Sequence, residues 1–396
     1  MTHKADWTTV KFGDVVRQVK DKVDAKSSGL KWYVGGEHMD TDDLRIRRRG
    51  EITDDYLGPA FHMRFQPGQV LYGSRRTYLR KVAVADFEGI CANTTFVLES
   101  KDPNTLLPEL LPFVMQTEAF HEFSITNSKG SVNPYINFSD LTEYEFALPP
   151  LAEQRRIAEV LKNSRSTVES IQFALGSLRQ LRISAIDTLC TRHDGKQVRL
   201  GDVCEMQNGR AFPGNQYQET GVRLLRPGNL GIKGYFDWDA DKTVCLPESF
   251  ELEARDYVIG AGDIVINLTA QSLEDGFMGR VCLAREGDHS LLNQRIGRFV
   301  FDSKEVCPEY VFRSLQSSRF QQHTVSMCEG TKVKHLYWRH LERFEFALPS
   351  IDEQRHVAKT LQEIDRSIDR LEDREKQQGK LHKSLLNSAL GAAMGI

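Results

Sequence analysis

The chain has 396 residues, 40% hydrophobic and 27% charged, which suits two or three domains with real cores. No run approaches ~18 apolar residues, which excludes a membrane-spanning helix, and the opening MTHKADWTTVKFGD has no apolar stretch of the kind a secretory signal needs. Lys plus Arg number 52 against 55 Asp plus Glu, a net charge of -3, which excludes binding to nucleic acid through bulk positive charge.

In chain order, residues 1–149 read as a first globular unit of mixed α/β (α+β) character. KVAVADF at 81–87 alternates as a strand does, and PELLPFVMQTEAFHEF at 108–123 has helical spacing. Residues 150–192 read as one long helix. It starts at Pro149-Pro150, where a missing N–H costs nothing, and Glu153 sits near the positive end of the helix dipole. Ile157, Leu161, Val168, Ile171, Leu175 and Leu178 fall on the a and d positions of a heptad seam.

Residues 193–349 read as a second globular unit. DIVINLT at 263–269 and RVCLARE at 280–286 are its strands, and PEYVFRSLQSSRFQQH at 308–323 is helical. Residues 350–396 read as a second long helix, with Val357, Leu361, Ile364, Ile368 and Leu371 in the same frame. The pattern weakens where Glu375, Gln378 and His382 reach the seam. Helices of about 40 residues are roughly 60 Å long, and neither buries its stripe alone, so each is expected to pack on the other. The order unit, helix, unit, helix predicts an antiparallel coiled coil in a pseudo-twofold internal repeat.

The repeat is explicit. EFALPPLAEQRRIAEVL at 145–161 and EFALPSIDEQRHVAKTL at 345–361 agree at ten of seventeen positions with an offset of 200. Upstream, FVLESK (96–101) resembles FVFDSK (299–304), and VKFGDV (10–15) resembles VRLGDV (198–203). The middles, 30–65 and 210–255, hardly align. The period is too long for a solenoid, so it reads as a duplicated domain whose working surfaces differ or whose loops have drifted.

These paired motifs, with GSVNPYINFSDL at 130–141, resemble the specificity (S) subunits of type I restriction–modification systems over essentially the whole chain. The resemblance implies two target recognition domains. Each would read one half of a split, non-palindromic site in double-stranded DNA. It implies helices that act as spacer and dock two methyltransferase (M) subunits, which carry S-adenosylmethionine. Some systems add restriction (R) subunits that use ATP and Mg. The chain itself would hold no cofactor and no metal, and would be non-catalytic and cytoplasmic. The last point agrees with seven cysteines that form no CxxC.

Basic clusters with interleaved aromatics or amides are the candidate DNA contacts. They are Arg45, Arg47, Arg48 and Arg49; Arg75, Arg76 and Tyr78; Lys129, Ser131, Asn133 and Tyr135; and Lys332, Lys334, His335, Tyr337, Trp338 and Arg339. Solvated charge runs and core aromatics are the plain alternative. Glu153, Gln154 and Arg155, with Glu353, Gln354 and Arg355, have two readings, helix-start packing or subunit docking. A self-contained methyltransferase is disfavoured, because Asn133-Pro134-Tyr135 lacks the second Pro of Asn-Pro-Pro-Tyr and no G-x-G-x-x-G precedes it. Glu99-Ser100-Lys101 and Asp302-Ser303-Lys304 mimic the tail of a nuclease metal site but read better as strand ends. A coiled-coil adaptor with no DNA role is the remaining alternative.

One helical turn rises about 5.4 Å against ~3.4 Å per base pair. Inserting one turn in both long helices is expected to change the gap between the half-sites by about one or two base pairs. Sequencing the methylated sites of a host carrying the variant measures that gap.

Overall fold

A computed structural model of the protein describes residues 7–53, 57–190 and 196–391. The described residues fall into two units. Unit 1 joins residues up to 172 to those from 373 onward, and unit 2 comprises 173–372. The expected boundary at residues 192–193 lies outside the described residues.

In unit 1, strand Thr8–Lys11 pairs antiparallel with Glu145–Leu148, Thr8 facing Leu148. A first four-stranded sheet runs in the order Val16–Val19, Thr95–Ser100, Val70–Gly73, Val82–Val84. A second runs Gly50–Glu51, Trp32–Val34, Gly89–Ala92, Phe61–Phe65, with one parallel pairing between Trp32–Val34 and Gly89–Ala92.

Unit 2 repeats this plan. Lys196–Arg199 pairs with Glu345–Leu348, Lys196 facing Leu348. One sheet runs Glu205–Asn208, Ile296–Val300, Ile264–Asn267, Val281–Leu283. The other runs Cys245–Leu246, Val222–Leu225, Ser290–Leu292, Val258–Ile259, again with one parallel pairing, between the second and third. The middles that do not align in sequence therefore hold the same strand order. Buried apolar positions and backbone pairing fix that order, and many side-chain sets satisfy them.

The stretches of helical spacing at 108–123 and 308–323 each hold a break. Leu111–Val114 is followed by Glu118–Thr126, and Pro308–Ser314 by Ser318–Met327. The cause is local. Thr117 and Ser317 take extended backbone, and their hydroxyls accept from the Phe120 and Phe320 N–H groups, each at 3.3 Å, which starts a new helix.

The long helices span Leu151–Cys190 and Ile351–Leu390. Their first turns are pinned by a buried glutamine. Gln154 accepts from Leu107 N–H (2.8 Å) and donates to the Thr105 and Pro149 carbonyls (both 2.8 Å). Gln354 accepts from Cys307 N–H (2.8 Å) and donates to the Glu305 (3.0 Å) and Pro349 (2.9 Å) carbonyls. A buried amide with every partner present fixes geometry that apolar contact would leave free.

Within unit 1, residues 151–172 pair with 373–390. Ser164 meets His382 at 3.2 Å and Gln172 meets Glu375 at 2.9 Å, so numbering rises along one segment as it falls along the other. Ile157, Leu161, Leu386 and Leu390 are buried in one core with Phe12, Tyr72 and Phe120. Within unit 2, residues 173–190 pair with 351–372 in the same antiparallel sense. Arg182 meets Asp365 at 2.5 Å and Arg179 meets Glu372 at 2.7 Å. Val357, Leu361 and Ile186 join Phe320, Phe344 and Phe346 in that unit's core. Ile171, Leu175 and Ile368 are buried as well, while Val168, Leu178, Ile364 and Leu371 are half-buried.

Unit 2 holds a buried ionic cluster. Asp365 is 6% exposed and Arg313 2%. The Asp365 carboxylate accepts from Arg313 (2.7 Å), Arg182 (2.5 Å) and the Tyr235 hydroxyl (2.6 Å). Burial alone would raise its pKa. The Arg313 and Arg182 guanidiniums outweigh burial and hold the carboxyl below its usual range. The sign follows. The cluster's stability is present above the unfolded carboxyl's pKa, about 3.9, and is lost as pH falls through the lower folded value.

Asp365→Ala leaves the buried Arg313 without its carboxylate, so it is expected to destabilise the chain by about 3–5 kcal/mol. Denaturant melts at neutral pH check this, and the difference from the unmodified chain should shrink in acid.

Candidate nucleic-acid interface

Two clusters distant in sequence meet on unit 1. The strand Val70–Gly73 ends in a tight turn carrying Arg75, Arg76 and Tyr78, with one 3-10 turn at Thr77–Leu79. Across from it is the loop 129–135, closed by paired bonds from Lys129 N–H to Tyr135 O (2.7 Å) and from Tyr135 N–H to Lys129 O (2.9 Å). Arg76 N–H donates to Pro134 O at 2.5 Å, and Arg75 pairs with Tyr135, its guanidinium 5.9 Å from the ring. Arg75, Arg76, Ser131, Asn133, Tyr78 and Tyr135 are all exposed, and Val132 at the loop tip is 84% exposed.

The charge here is free to act. Arg75 and Arg76 make no carboxylate contact among the described residues. Burial, then the nearby Arg76 charge, lowers the Lys81 pKa. Lys129 is held by Asp140 at 2.8 Å, and that bond keeps the Asp140 carboxyl below its usual range.

Unit 2 builds the same loop. Glu329 N–H donates to His335 O (3.0 Å) and His335 N–H to Glu329 O (2.8 Å). Gly130 and Gly330 open the loops at φ of 90° and 107°, the left-handed region that glycine enters without strain. A Cβ on Gly330 would lie 2.2 Å from the Val333 carbonyl oxygen. Lys334–His335 pairs with Thr269–Ala270, which follows the strand matching Val70–Gly73. His335 stacks on Tyr337, and Arg339 lies over the same Tyr337 ring at 4.5 Å and contacts Glu329 at 3.0 Å. Lys332 is exposed. Lys334 is half-buried and donates to the Gly330 carbonyl at 2.6 Å. Trp338 is half-buried against the core beside Phe299.

The arginines of the run at 45–49 are exposed. Arg45 pairs with Glu169 (3.0 Å), Arg47 with Asp43 (2.7 Å) and Arg48 with Asp40 (2.5 Å), while Arg49 lies over the Trp32 and Phe87 rings. Burial would raise the Asp43 pKa, but the Arg45 N–H and the Arg47 and Arg165 charges outweigh it, and the carboxyl sits below its usual range. Arg45 and Arg47 line a groove of about 1150 Å³ with Phe113, Ala158 and Arg165. Three arginines of the run therefore have carboxylate partners, and all four are exposed.

Gln154 and Gln354 are 1% exposed and saturated with backbone bonds, so neither belongs to a docking surface. Glu153 is tied to Arg156 at 2.9 Å, Glu353 is half-buried, and Arg155 and Arg355 are exposed. Glu99 accepts from Arg17 and Gln69, both at 2.8 Å, at the end of a strand, as a structural carboxylate does. Among the described residues no three His, Cys, Asp or Glu side chains converge as a metal site, and no helix is long and apolar enough to cross a membrane.

Gln294 and Arg295 were not singled out from sequence. They are exposed at a hairpin whose Arg295 carbonyl accepts from Leu268 N–H at 3.0 Å, beside Thr269–Ala270. Their match in unit 1 is Asn93-Thr94, where Thr94 O accepts from Ser74 N–H at 3.0 Å, so only the strand register reveals them.

The family model "Type I restriction modification DNA specificity domain" matches residues 4–175 and 193–379. A curated relative, the type I restriction enzyme MjaVIII specificity subunit of Methanocaldococcus jannaschii, is 24% identical over 390 residues, covering 92% of this chain and 87% of its own. The EcoDI specificity subunit of Escherichia coli is 25% identical over 189 residues, 46% of this chain and 40% of its own. A solved S subunit of a type I restriction–modification system from M. genitalium superposes with a TM-score of 0.63 at 14% identity, over 98% of this chain and 97% of that one. A chain from a study of the assembly and conformational transition of a type I system gives 0.60 at 17% identity over 97% of both. The chain shares the fold of these solved structures and belongs to the type I restriction–modification DNA specificity family.

Proposed function

We propose that the two units read the two halves of one split, non-palindromic DNA site on behalf of partner subunits that carry out the chemistry. The observation that carries this is the loop built twice, at 129–135 and 329–335, with the same paired backbone bonds and different exposed side chains. One scaffold with two side-chain sets is what two different half-sites require.

In unit 1, Arg75 and Arg76 take phosphate or guanine edges, Asn133 suits adenine, and Tyr78 and Tyr135 pack against sugar or base. In unit 2, Lys332, Lys334, His335, Tyr337, Arg339 and Arg295 take those roles. Each mismatched base pair costs about 1–3 kcal/mol, so two readers acting together discriminate far better than one. Two M subunits supply S-adenosylmethionine and methylate adenine, and R subunits, with ATP and Mg, cut the DNA. The exposed Arg155 and Arg355 at the helix starts are available for docking those partners. The complex works in the cytoplasm on double-stranded DNA.

Replacing residues 7–149 by the corresponding unit of a relative is expected to change one half of the methylated site and leave the other intact. Methylome sequencing of a host carrying the chimera and the methyltransferase partner reads this. Methyl incorporation by the purified chain alone, with S-adenosylmethionine and DNA, would instead favour a self-contained enzyme.

Each phosphate contact contributes a slope of about 0.9 to log affinity against log salt. Arg75→Ala and Arg76→Ala are each expected to weaken binding and to lower that slope by about 0.9. Arg48→Ala, whose guanidinium is taken by Asp40, should leave the slope unchanged.

A further inference from the structure

The turn carrying Arg75, Arg76 and Tyr78 has an unusual backbone. Arg76 (φ 51°) and Arg80 (φ 50°), on either side of Thr77–Leu79, both lie in the left-handed region, which costs a residue with a Cβ free energy.

Unit 2 supplies an internal comparison. Gly73 N–H donates to Lys81 O (3.0 Å) as Asn267 N–H donates to Arg280 O (2.9 Å), so Arg80 corresponds to Gly279. Gly279 also has positive φ, 69°. Unit 2 thus meets the same backbone requirement with glycine, and unit 1 meets it with arginine. A side chain kept against its own backbone preference points to what that side chain does.

The Arg80 guanidinium grips Glu118 with two bonds, 2.7 and 2.8 Å, and its Nε lies 2.9 Å from Asp42. Asp42 is held in turn. Gln116 donates to its carbonyl at 3.2 Å, and Lys383 meets its carboxylate at 3.0 Å. Glu118 N–H donates to Asn387 Oδ1 at 3.1 Å. Lys383 and Asn387 stand on the second long helix, within unit 1. The Thr41 hydroxyl donates to the Leu79 carbonyl at 2.9 Å, inside the turn itself. His121 lies 4.0 Å from Asp42, but burial, then the Arg80 charge, pushes its pKa down to about 4. It is neutral at pH 7 and leaves Asp42 to Arg80 and Lys383.

We propose that Arg80 is a positioning residue for DNA recognition: with Asp42 and Glu118 it forms a brace that fixes how Arg75, Arg76 and Tyr78 are presented, and ties that presentation to the second long helix. Arg80 touches no DNA. This rests on the reading of the 75–78 turn as a DNA contact, and the test separates the two.

Arg80→Gly keeps the left-handed backbone and removes the guanidinium. Glu118→Gln keeps Arg80 and weakens its anchor, and it decides the matter if Arg80→Gly does not fold. Arg80→Lys keeps a charge without the two-pronged grip. Each full chain is assembled with its methyltransferase subunits. Binding is titrated against salt on a labelled duplex carrying the methylated site and on a shuffled duplex.

Arg80→Gly and Glu118→Gln are expected to cut the preference for the site duplex by about tenfold, the size of one lost base-edge pair. Neither should change the salt slope, Arg80→Lys should restore part of the preference, and Arg76→Ala should lower the slope. An unchanged preference in the brace variants, with Arg76→Ala still lowering the slope, overturns the brace and leaves the DNA reading standing. A slope lowered by Arg80→Gly makes Arg80 a contact and also overturns it. No effect of Arg76→Ala on affinity or slope removes the DNA reading, and the brace with it.

Discussion

An amphipathic helix cannot keep its apolar stripe in water, and each unit of this chain depends on that constraint. Neither unit is complete from contiguous sequence. Unit 1 takes Leu386 and Leu390 from the second long helix into its core, and unit 2 takes Ile186 from the first. Buried glutamines set where each helix starts, and the antiparallel partner segment sets which face is covered. The loops that face outward inherit their positions from those cores.

The duplicated scaffold keeps its apolar contacts and varies its polar joints. In unit 2, the buried Asp365 pairs with the half-buried Arg182, supported by Arg313 and Tyr235. The positions 200 residues away are Arg165 and His382, which cannot pair. There His382 contacts Ser164, its pKa lowered by burial and then by the Arg165 charge, and Arg165 turns to Asp43 and Glu169. Arg165 thus shares Asp43 with Arg47 and Glu169 with Arg45. A change in a joint of the scaffold thereby redirects an arginine to a different set of carboxylates.

The duplicated motifs and the two long helices were legible in sequence because both rest on local periodicity and proline punctuation. The shared strand order of the middles was not, because buried strands tolerate many apolar sets. The breaks at Thr117 and Ser317 carried a visible signal, a hydroxyl three residues before a buried Phe, outweighed by the helical spacing around it. At Arg45–Arg49 the partners Asp40 and Asp43 are near neighbours in sequence, whereas Glu169 meets Arg45 only once the chain is folded. The meeting of Arg75–Tyr78 with 129–135 depends on pairing across more than fifty residues and appears only in the fold, as does the match of Arg80 with Gly279.

The account stands or falls on which surface DNA covers. Hydrogen–deuterium exchange of the assembled complex, with and without its methylated duplex, reports that directly. Protection is expected at 74–80 and 129–136 in unit 1, and at 268–272 and 329–337 in unit 2, with 45–49 unchanged. Protection of 45–49 while both loops exchange as freely as before would contradict it.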